Sequence, residues 1–186
     1  MSGKRWAYGI TVAAAAIAAS LGAPRLLARG ARDAATEARI QKGLAIAPVP
    51  LDLDGKDRDL VALGSYIVNA QAGCNDCHTE PSYEPGHDPF QGGDGKVNTA
   101  RYLKGGKTAA PGLVTPDLTP DAQGRPGGLT LEQFAHAING GHDPAKPGRI
   151  LQVMPWPVYC QMIPEDQRAV YEYLRAIPSS RATPSP

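Results

Sequence analysis

Apolar residues recur at helical spacing over residues 57–71, at Leu60, Leu63, Ile67 and Ala70. Asp57 and Asp59 stand near the start of this segment, where the helix dipole favours acidic side chains. The pattern predicts a helix. Gly64 lies on its inner face, where a missing side chain would let another helix approach closely, although a glycine can also simply weaken a helix. We expect close packing at Gly64.

A second helical pattern starts at Leu131 and ends at Gly140-Gly141, a typical stop signal. Thr130 and Gln133 have the spacing of a capping box at its start. The apolar face of this predicted helix consists of Leu131, Phe134, Ala135 and Ile138.

The last helix should begin at Pro164, a residue compatible with the first helical position, and stop at Pro178. Its apolar face consists of Val170, Tyr173, Leu174 and Ile177. Residues 179–186 have no means of packing and are predicted to form a disordered tail.

Between the first two predicted helices, residues 79–128 are rich in proline and glycine and show no helical period. A loop of this length is uncommon in a compact domain, and becomes reasonable if it lies across a bound group. The predicted fold class is all-α, with few helices and long loops.

The segment Cys74-Asn75-Asp76-Cys77-His78 precedes that loop and carries the clearest chemical signal. Two thiols at this spacing can reach the two vinyl groups on one edge of a porphyrin, and the histidine that follows can turn its imidazole onto the iron. The motif therefore predicts one covalent haem c, attached through Cys74 and Cys77 and ligated by His78.

Paired cysteines also occur in zinc sites and in redox dithiols. A zinc site would need a second Cys or His pair at ligand spacing, and the other candidates do not provide one: His87, His136, His142 and Cys160. A redox dithiol is expected within a strand-helix-strand pattern, which the neighbouring sequence lacks. Haem attachment is the interpretation we favour.

Met154 stands in the segment Met154-Pro155-Trp156-Pro157, where the prolines restrict the backbone to what we expect to be an extended loop. A thioether is a soft ligand for ferrous iron and raises its potential, so Met154 is predicted as the second iron ligand. The alternative is a methionine that fills a gap in the core. Met162 lies beside the last helix and is less free to reach the iron. His142 is the alternative candidate for the second iron ligand.

The remaining candidate side chains have simpler expected roles. We expect His87 to contact solvent or a haem propionate, and His136, which falls off the apolar face of its helix, to be exposed. Cys160 has no partner cysteine, and we expect a small buried apolar side chain rather than an intermolecular or reactive thiol.

Composition agrees with a bound porphyrin. The 186 residues include 21 glycines and 18 prolines but only 6% aromatic residues, which is poor material for an ordinary core. A porphyrin would supply a large flat apolar body around which few helices and long loops can close.

Lys4 and Arg5 precede an alanine-rich apolar run over residues 6–23, the layout of an export signal. We assign residues 1–32 to a signal peptide or an N-terminal membrane anchor and residues 33–56 to a linker that is poorly ordered or wraps the domain. The haem domain spans residues 57–178. Because c-type haem is attached outside the cytoplasm, we expect a periplasmic domain, free or anchored to the inner membrane.

The charge distribution is uneven. The first 32 residues contain five basic residues and no acidic one, so the rest of the chain has 14 basic and 18 acidic residues, a net charge of about −4. A mildly acidic domain does not suggest a nucleic-acid partner.

Four pieces in this order resemble the class I cytochrome c family, and more closely the haem domains that accompany periplasmic and membrane-bound bacterial dehydrogenases. They are Gly64-Ser65-Tyr66-Ile67 leading to the Cys74–Thr79 segment, Leu118-Thr119-Pro120-Asp121, Leu131-Glu132-Gln133-Phe134 with Gly140-Gly141, and Met154-Pro155-Trp156 with Tyr173-Leu174-Arg175. Such dehydrogenase subunits often carry three haem motifs, whereas this chain has one.

The resemblance implies a small cytochrome c fold in which the first and last helices cross at Gly64, with His78 and Met154 on the iron. It implies an electron carrier rather than an enzyme, which passes electrons from a dehydrogenase to an oxidase or another cytochrome of a respiratory chain. Two other hypotheses remain: a haem-based sensor that binds a gas or peroxide when Met154 leaves the iron, and a membrane-anchored docking subunit of a redox complex.

Overall fold

The computed structural model describes residues 23–180. Its helices are α1 (Ala23–Ile46), α2 (Arg58–Tyr66), α3 (Cys74–His78), α4 (Leu131–Gly140), α5 (Trp156–Tyr159) and α6 (Pro164–Ala176). A π-helical turn (Ile67–Gln71) follows α2, and a 3-10 turn (Pro89–Gln91) lies in the long loop. The described residues are mainly helical, as predicted.

A small antiparallel sheet departs from the all-α prediction. Strands β1 (Thr108–Ala110) and β2 (Leu113–Val114) pair Thr108 with Val114 and Ala110 with Leu113. Pro111-Gly112 makes the turn between them, with Gly112 at a positive φ of 72°. Strands of three and two residues are too short for an alternating pattern to be recognised in the sequence.

The chain divides into one unit that ends at Glu37 and a second that begins at Ala38. In the first unit, the described residues 23–37 belong to α1. The predicted signal or anchor lies mostly outside the described residues. Among residues 23–180, no helix combines the length and the apolar character needed to cross a membrane.

The predicted linker over residues 33–56 is wrong in its first part, because α1 continues to Ile46. Residues 33–46 contain no proline and many good helix formers, and Pro48 and Pro50 follow where the helix has ended. Ile40 belongs to the core. Residues 47–56 do wrap the domain, and the Asp52 amide donates to the Ala176 carbonyl at 2.8 Å.

Helices α2 and α6 pack closely at Gly64, as the sequence predicted. A Cβ added to Gly64 would overlap the carbonyl oxygen of Ala169 and lie 2.7 Å from the Cβ of Tyr173. Gly43 plays the same part between α1 and α2, since its Cβ would overlap the carbonyl oxygen of Ala62. Both contacts are between backbones, so no side-chain rearrangement can make room.

The inner face of the first predicted helix differs from the prediction at its C-terminal end. Ala70 is exposed, whereas Ile67 and Val68 are buried. The cause is the π-helical turn, in which the Ala72 amide donates to the Ile67 carbonyl at 2.8 Å. The wider turn shifts the helical register, so a pattern counted at 3.6 residues per turn places Ala70 wrongly.

Helices α4 and α6 follow their predicted bounds. The Thr130 capping box is formed, with the Gln133 amide donating to Thr130 Oγ1 at 3.2 Å, and Gly141 ends α4 in the left-handed conformation. The predicted apolar face of α6 is buried throughout. On α4, Phe134 and Ile138 are buried, but Leu131 is 38% exposed because it lies in the first turn.

The predicted disordered tail is wrong for its first two residues. Ser179 Oγ donates to the Pro120 carbonyl at 2.6 Å, and the Ser180 amide donates to Thr119 Oγ1 at 3.1 Å. Thr119 is buried, and its hydroxyl is bonded to Ser180 and to Asp117 Oδ1. Two polar residues of the tail therefore dock where an apolar pattern gives no signal. Residues 181–186 lie outside the described residues.

Candidate functional site

The cysteine-histidine motif forms its own short helix, α3, which follows the π-helical turn. Gly73 precedes it in the left-handed conformation, with φ 61°, and turns the chain into α3. Cys74 is half-buried at the margin of the hydrophobic core, and Cys77 is exposed. Burial, and then the neighbouring Cys77, raises the pKa of Cys74 to about 12. A redox dithiol is activated by a lowered pKa, so this environment does not favour that alternative.

The imidazole of His78 is fixed by one hydrogen bond across 38 residues of sequence. Its Nδ1 lies 3.0 Å from the carbonyl oxygen of Pro116. A carbonyl can only accept, so Nδ1 carries the proton and Nε2 keeps its lone pair in the neutral ring. Burial lowers the pKa of His78, more than the bond to Pro116 raises it. The structure therefore holds His78 as a neutral imidazole with Nε2 available as a ligand.

The long loop is attached to the end of α3 by hydrogen bonds from two of its backbone amides. The Gly105 amide donates to the His78 carbonyl at 2.7 Å, and the Leu103 amide donates to Thr79 Oγ1 at 2.9 Å. Thr79 and Leu103 are fully buried. Leu103 has a positive φ of 55°, an uncommon conformation for a leucine, which these surroundings hold in place. The loop thereby supports the histidine that ends α3.

Lys107 also holds α3. Its ammonium donates to the Asp76 carbonyl at 2.6 Å and to Ser82 Oγ at 3.3 Å, and the side chain is half-buried. A cation beside the carbonyl groups of a helix is favourable, and hydrogen bonds from a charged donor are among the stronger ones.

We expect Lys107→Met to lower the free energy of unfolding by about 1 to 2 kcal/mol, because the Asp76 carbonyl and Ser82 hydroxyl lose a charged donor. Urea unfolding at pH 7 measures this. The matched control is Lys96→Met, an exposed site, with an effect within about 0.5 kcal/mol. Equal effects of the two substitutions would contradict the role of Lys107.

Met154 is half-buried and packs against the hydrophobic core, as Cys74 does. The segment after it is not the extended loop that we expected, because Trp156–Tyr159 forms α5. Prolines at positions 155 and 157 stand where α5 begins, and proline is tolerated in the first turn of a helix. Trp156 packs on Gly141 and its Nε1 donates to the Leu151 carbonyl at 3.0 Å, which fixes the chain on both sides of Met154.

Tyr159 connects the Met154 segment to the cysteine pair. Its hydroxyl donates to the Ala72 carbonyl at 2.8 Å, two residues before Cys74. Burial raises the pKa of Tyr159 to about 12, with smaller contributions from Cys74 and Cys77. This hydrogen bond joins the helix that follows Met154 to the turn just before α3. Met162 packs against the same core, so the choice of Met154 over Met162 stays a prediction.

The other candidates lie elsewhere. His87 is hydrogen-bonded to Asp94, with 2.7 Å between Nδ1 and Oδ1, on the surface of the long loop. His136 is exposed as expected, and its ring stacks on that of His142. Cys160 is half-buried rather than fully buried, and its Sγ lies 3.2 Å from the Pro157 carbonyl oxygen.

Sequence reasoning missed a buried polar network behind the site. The Tyr102 hydroxyl donates to Asn69 Oδ1 at 2.6 Å and lies 2.9 Å from the Tyr173 hydroxyl. Asn69 Nδ2 lies 3.2 Å from Ser65 Oγ, which donates to the Gly43 carbonyl at 2.7 Å. Burial raises the pKa of both tyrosines, so their hydroxyls stay protonated. A tyrosine at a position of the helical period is predicted to be a core residue. The hydrogen bonds of its hydroxyl cannot be predicted from the neighbouring sequence.

Comparison with known proteins leaves the family of the chain open: no protein-family model, curated protein or solved structure matches it significantly.

Proposed function

We propose that this chain is a one-electron carrier with a single haem c, attached through Cys74 and Cys77 and ligated by His78 and Met154. The observation that carries the proposal is the Nδ1 hydrogen bond from His78 to the Pro116 carbonyl, directly after the cysteine pair. Ligating histidines generally donate their second ring nitrogen in this way, which fixes the ring and its tautomer. The donor set therefore fits the group that the motif implies.

The chain would bind the haem and orient the side chain that ligates its iron. The two thiols would anchor the porphyrin edge, and the neutral His78 would offer Nε2. The loop, bonded through Gly105 to the His78 carbonyl and through Leu103 to Thr79, would keep that ring in place. The haem itself supplies the reversible one-electron chemistry of its iron. No side chain has to act as an acid or a base, so the proposal is an electron carrier and not an enzyme.

The arrangement of helices supports a small cytochrome c fold as the finer interpretation. Helix α2 leads through the π-helical turn into the motif, and its Gly64 packs on α6. Cys74, Met154, Tyr159 and Leu118 are half-buried, and each packs against the hydrophobic core at its margin. A flat apolar group against that margin would complete the core.

The proposal includes partners and a location. The electrons would come from a dehydrogenase and pass to an oxidase or another cytochrome, in the periplasm. The mildly acidic charge of the domain suits partners that present basic surfaces.

The ligand assignment is tested by paired methionine variants. We expect Met154→Ala to keep its covalent haem but to become high-spin and to bind carbon monoxide in the ferrous state, since the sixth position is vacated. Met162→Ala, at a methionine against the same core, should stay low-spin and should not bind carbon monoxide. Optical spectra of both ferrous proteins with and without carbon monoxide measure this.

The outcomes separate the hypotheses. A spectral change in Met162→Ala instead of Met154→Ala would show that the ligand is assigned to the wrong residue. Carbon monoxide binding by the unmodified ferrous protein at neutral pH would favour the gas-binding sensor over the electron carrier.

A further inference from the structure

His136 and His142 form a pair that the proposed electron carrier does not use. His136 lies in α4, and His142 follows the glycine that ends this helix. Their rings stack, with 4.2 Å between centroids and 15° between planes. Both side chains are exposed, and they line an open depression with Gln133, Pro144 and Pro147. A solvent ion can therefore reach both imidazoles.

The backbone around His142 is built to hold its ring against α4. Gly140 has no side chain, and a Cβ there would lie 2.6 Å from Cδ2 and 3.0 Å from Nε2 of His142. Beyond it, His142 pairs with Ile150 in an isolated bridge, and the Asp143–Arg149 ion pair closes the intervening loop. The two rings are thus held next to each other by a helix and a closed loop.

The ring nitrogens of this pair are unengaged. Within residues 23–180, no hydrogen bond or ion pair involves the ring of His136 or of His142, in contrast to His78 and His87. The nearest polar side chains are occupied, because Gln133 Oε1 accepts from the Thr130 amide and the Asp143 carboxylate is paired with Arg149. The imidazole lone pairs are the free ligands of this depression.

We propose that His136 and His142 together form a binding site for a divalent transition-metal ion that prefers imidazole, such as Ni²⁺, Cu²⁺ or Zn²⁺. Two nitrogens bound about 2.0–2.1 Å from a tetrahedral ion lie about 3.4 Å apart, and the centroids of the two rings are 4.2 Å apart. Because the rings are nearly parallel, ligation requires them to turn about their Cβ–Cγ bonds until one nitrogen of each ring points to the ion.

Water would complete the coordination. No group of three or more His, Cys, Asp or Glu side chains is placed to hold a metal in the described part of the chain. The site is thus a chelate of two side chains with open positions, accessible from solvent, and distinct from the motif in α3.

The test is calorimetric titration of the untagged full chain with Ni²⁺, an imidazole-preferring ion. We expect His136→Gln and His142→Asn each to weaken the tightest Ni²⁺ binding by about tenfold or more. The double variant should lose little beyond either single variant, because removal of one ring already destroys the chelate. The matched control is His87→Gln, an imidazole outside the depression, which should leave the binding unchanged.

Three results would overturn the proposal: tight Ni²⁺ binding that survives in the double variant, loss of binding in His87→Gln, or strictly additive losses from the two single variants. Circular dichroism of each variant checks that α4 is intact, and both substituted positions are exposed, so folding should be preserved.

Discussion

Gly64→Ala should lower the free energy of unfolding by about 3 kcal/mol, because the added methyl group meets the Ala169 backbone rather than a movable side chain. The sign of this change in unfolding free energy shows whether Gly64 is closely packed. In an unpacked helix the same substitution would stabilise by about 1 kcal/mol, since alanine is the better helix former. The measurement is urea unfolding at pH 7, followed by circular dichroism.

A variant as stable as the parent chain, or more stable, would contradict the close approach of α2 and α6. Gly43→Ala offers an independent check, because its added methyl group would meet the Ala62 carbonyl in the same manner. We expect a loss of the same sign there.

The second large effect concerns the cysteine pair. We expect Cys74→Ser/Cys77→Ser to abolish covalent haem, because the serine hydroxyls do not form the thioether bonds that the motif provides. The matched control is Cys160→Ser, which removes the third thiol and should retain a full complement of haem. Both variants are expressed with haem-attachment machinery, and the haem that stays with the protein after acid-acetone extraction is quantified.

Equal retention of haem in the cysteine double variant and in Cys160→Ser would show that attachment does not depend on α3. Equal loss in both would assign a part in attachment to Cys160, which the structure places at the end of α5 and not in the motif.

Helices with both a regular apolar period and explicit end signals could be predicted from sequence. The bounds of α4 and α6 follow from Thr130 with Gln133, from Gly141 and from Pro164, all of which act locally. The close packing at Gly64 was predicted because a glycine on the apolar face of a helix lets another helix approach, although the sequence alone also allowed a glycine that only weakens the helix.

Local irregularities were beyond such reasoning. The π-helical turn after Tyr66 requires no particular residue type. The change of helical register that exposes Ala70 therefore cannot be recognised in the sequence. The continuation of α1 to Ile46 was missed because its apolar contacts come from α2, which only the folded chain brings into place.

The candidate site likewise contains some residues that the sequence predicts and others that only the folded structure reveals. Cys74, Cys77 and His78 are contiguous, so their chemistry can be inferred from spacing alone. The carbonyl of Pro116, the ammonium of Lys107 and the hydroxyl of Tyr159 come from segments tens of residues away and act partly through backbone atoms. Only the folded chain reveals the groups that hold the histidine and the helix in place.

The most direct test of the central proposal is the absorption spectrum of the unmodified chain, oxidised and reduced, before and after acid-acetone extraction. A haem that stays with the protein, is low-spin in both states and has the weak far-red band of a methionine sulfur ligand in the oxidised state is the result we predict. A chain made with haem-attachment machinery that retains no haem after extraction would contradict the proposal, because the function assigned to Cys74, Cys77 and His78 would then have no cofactor.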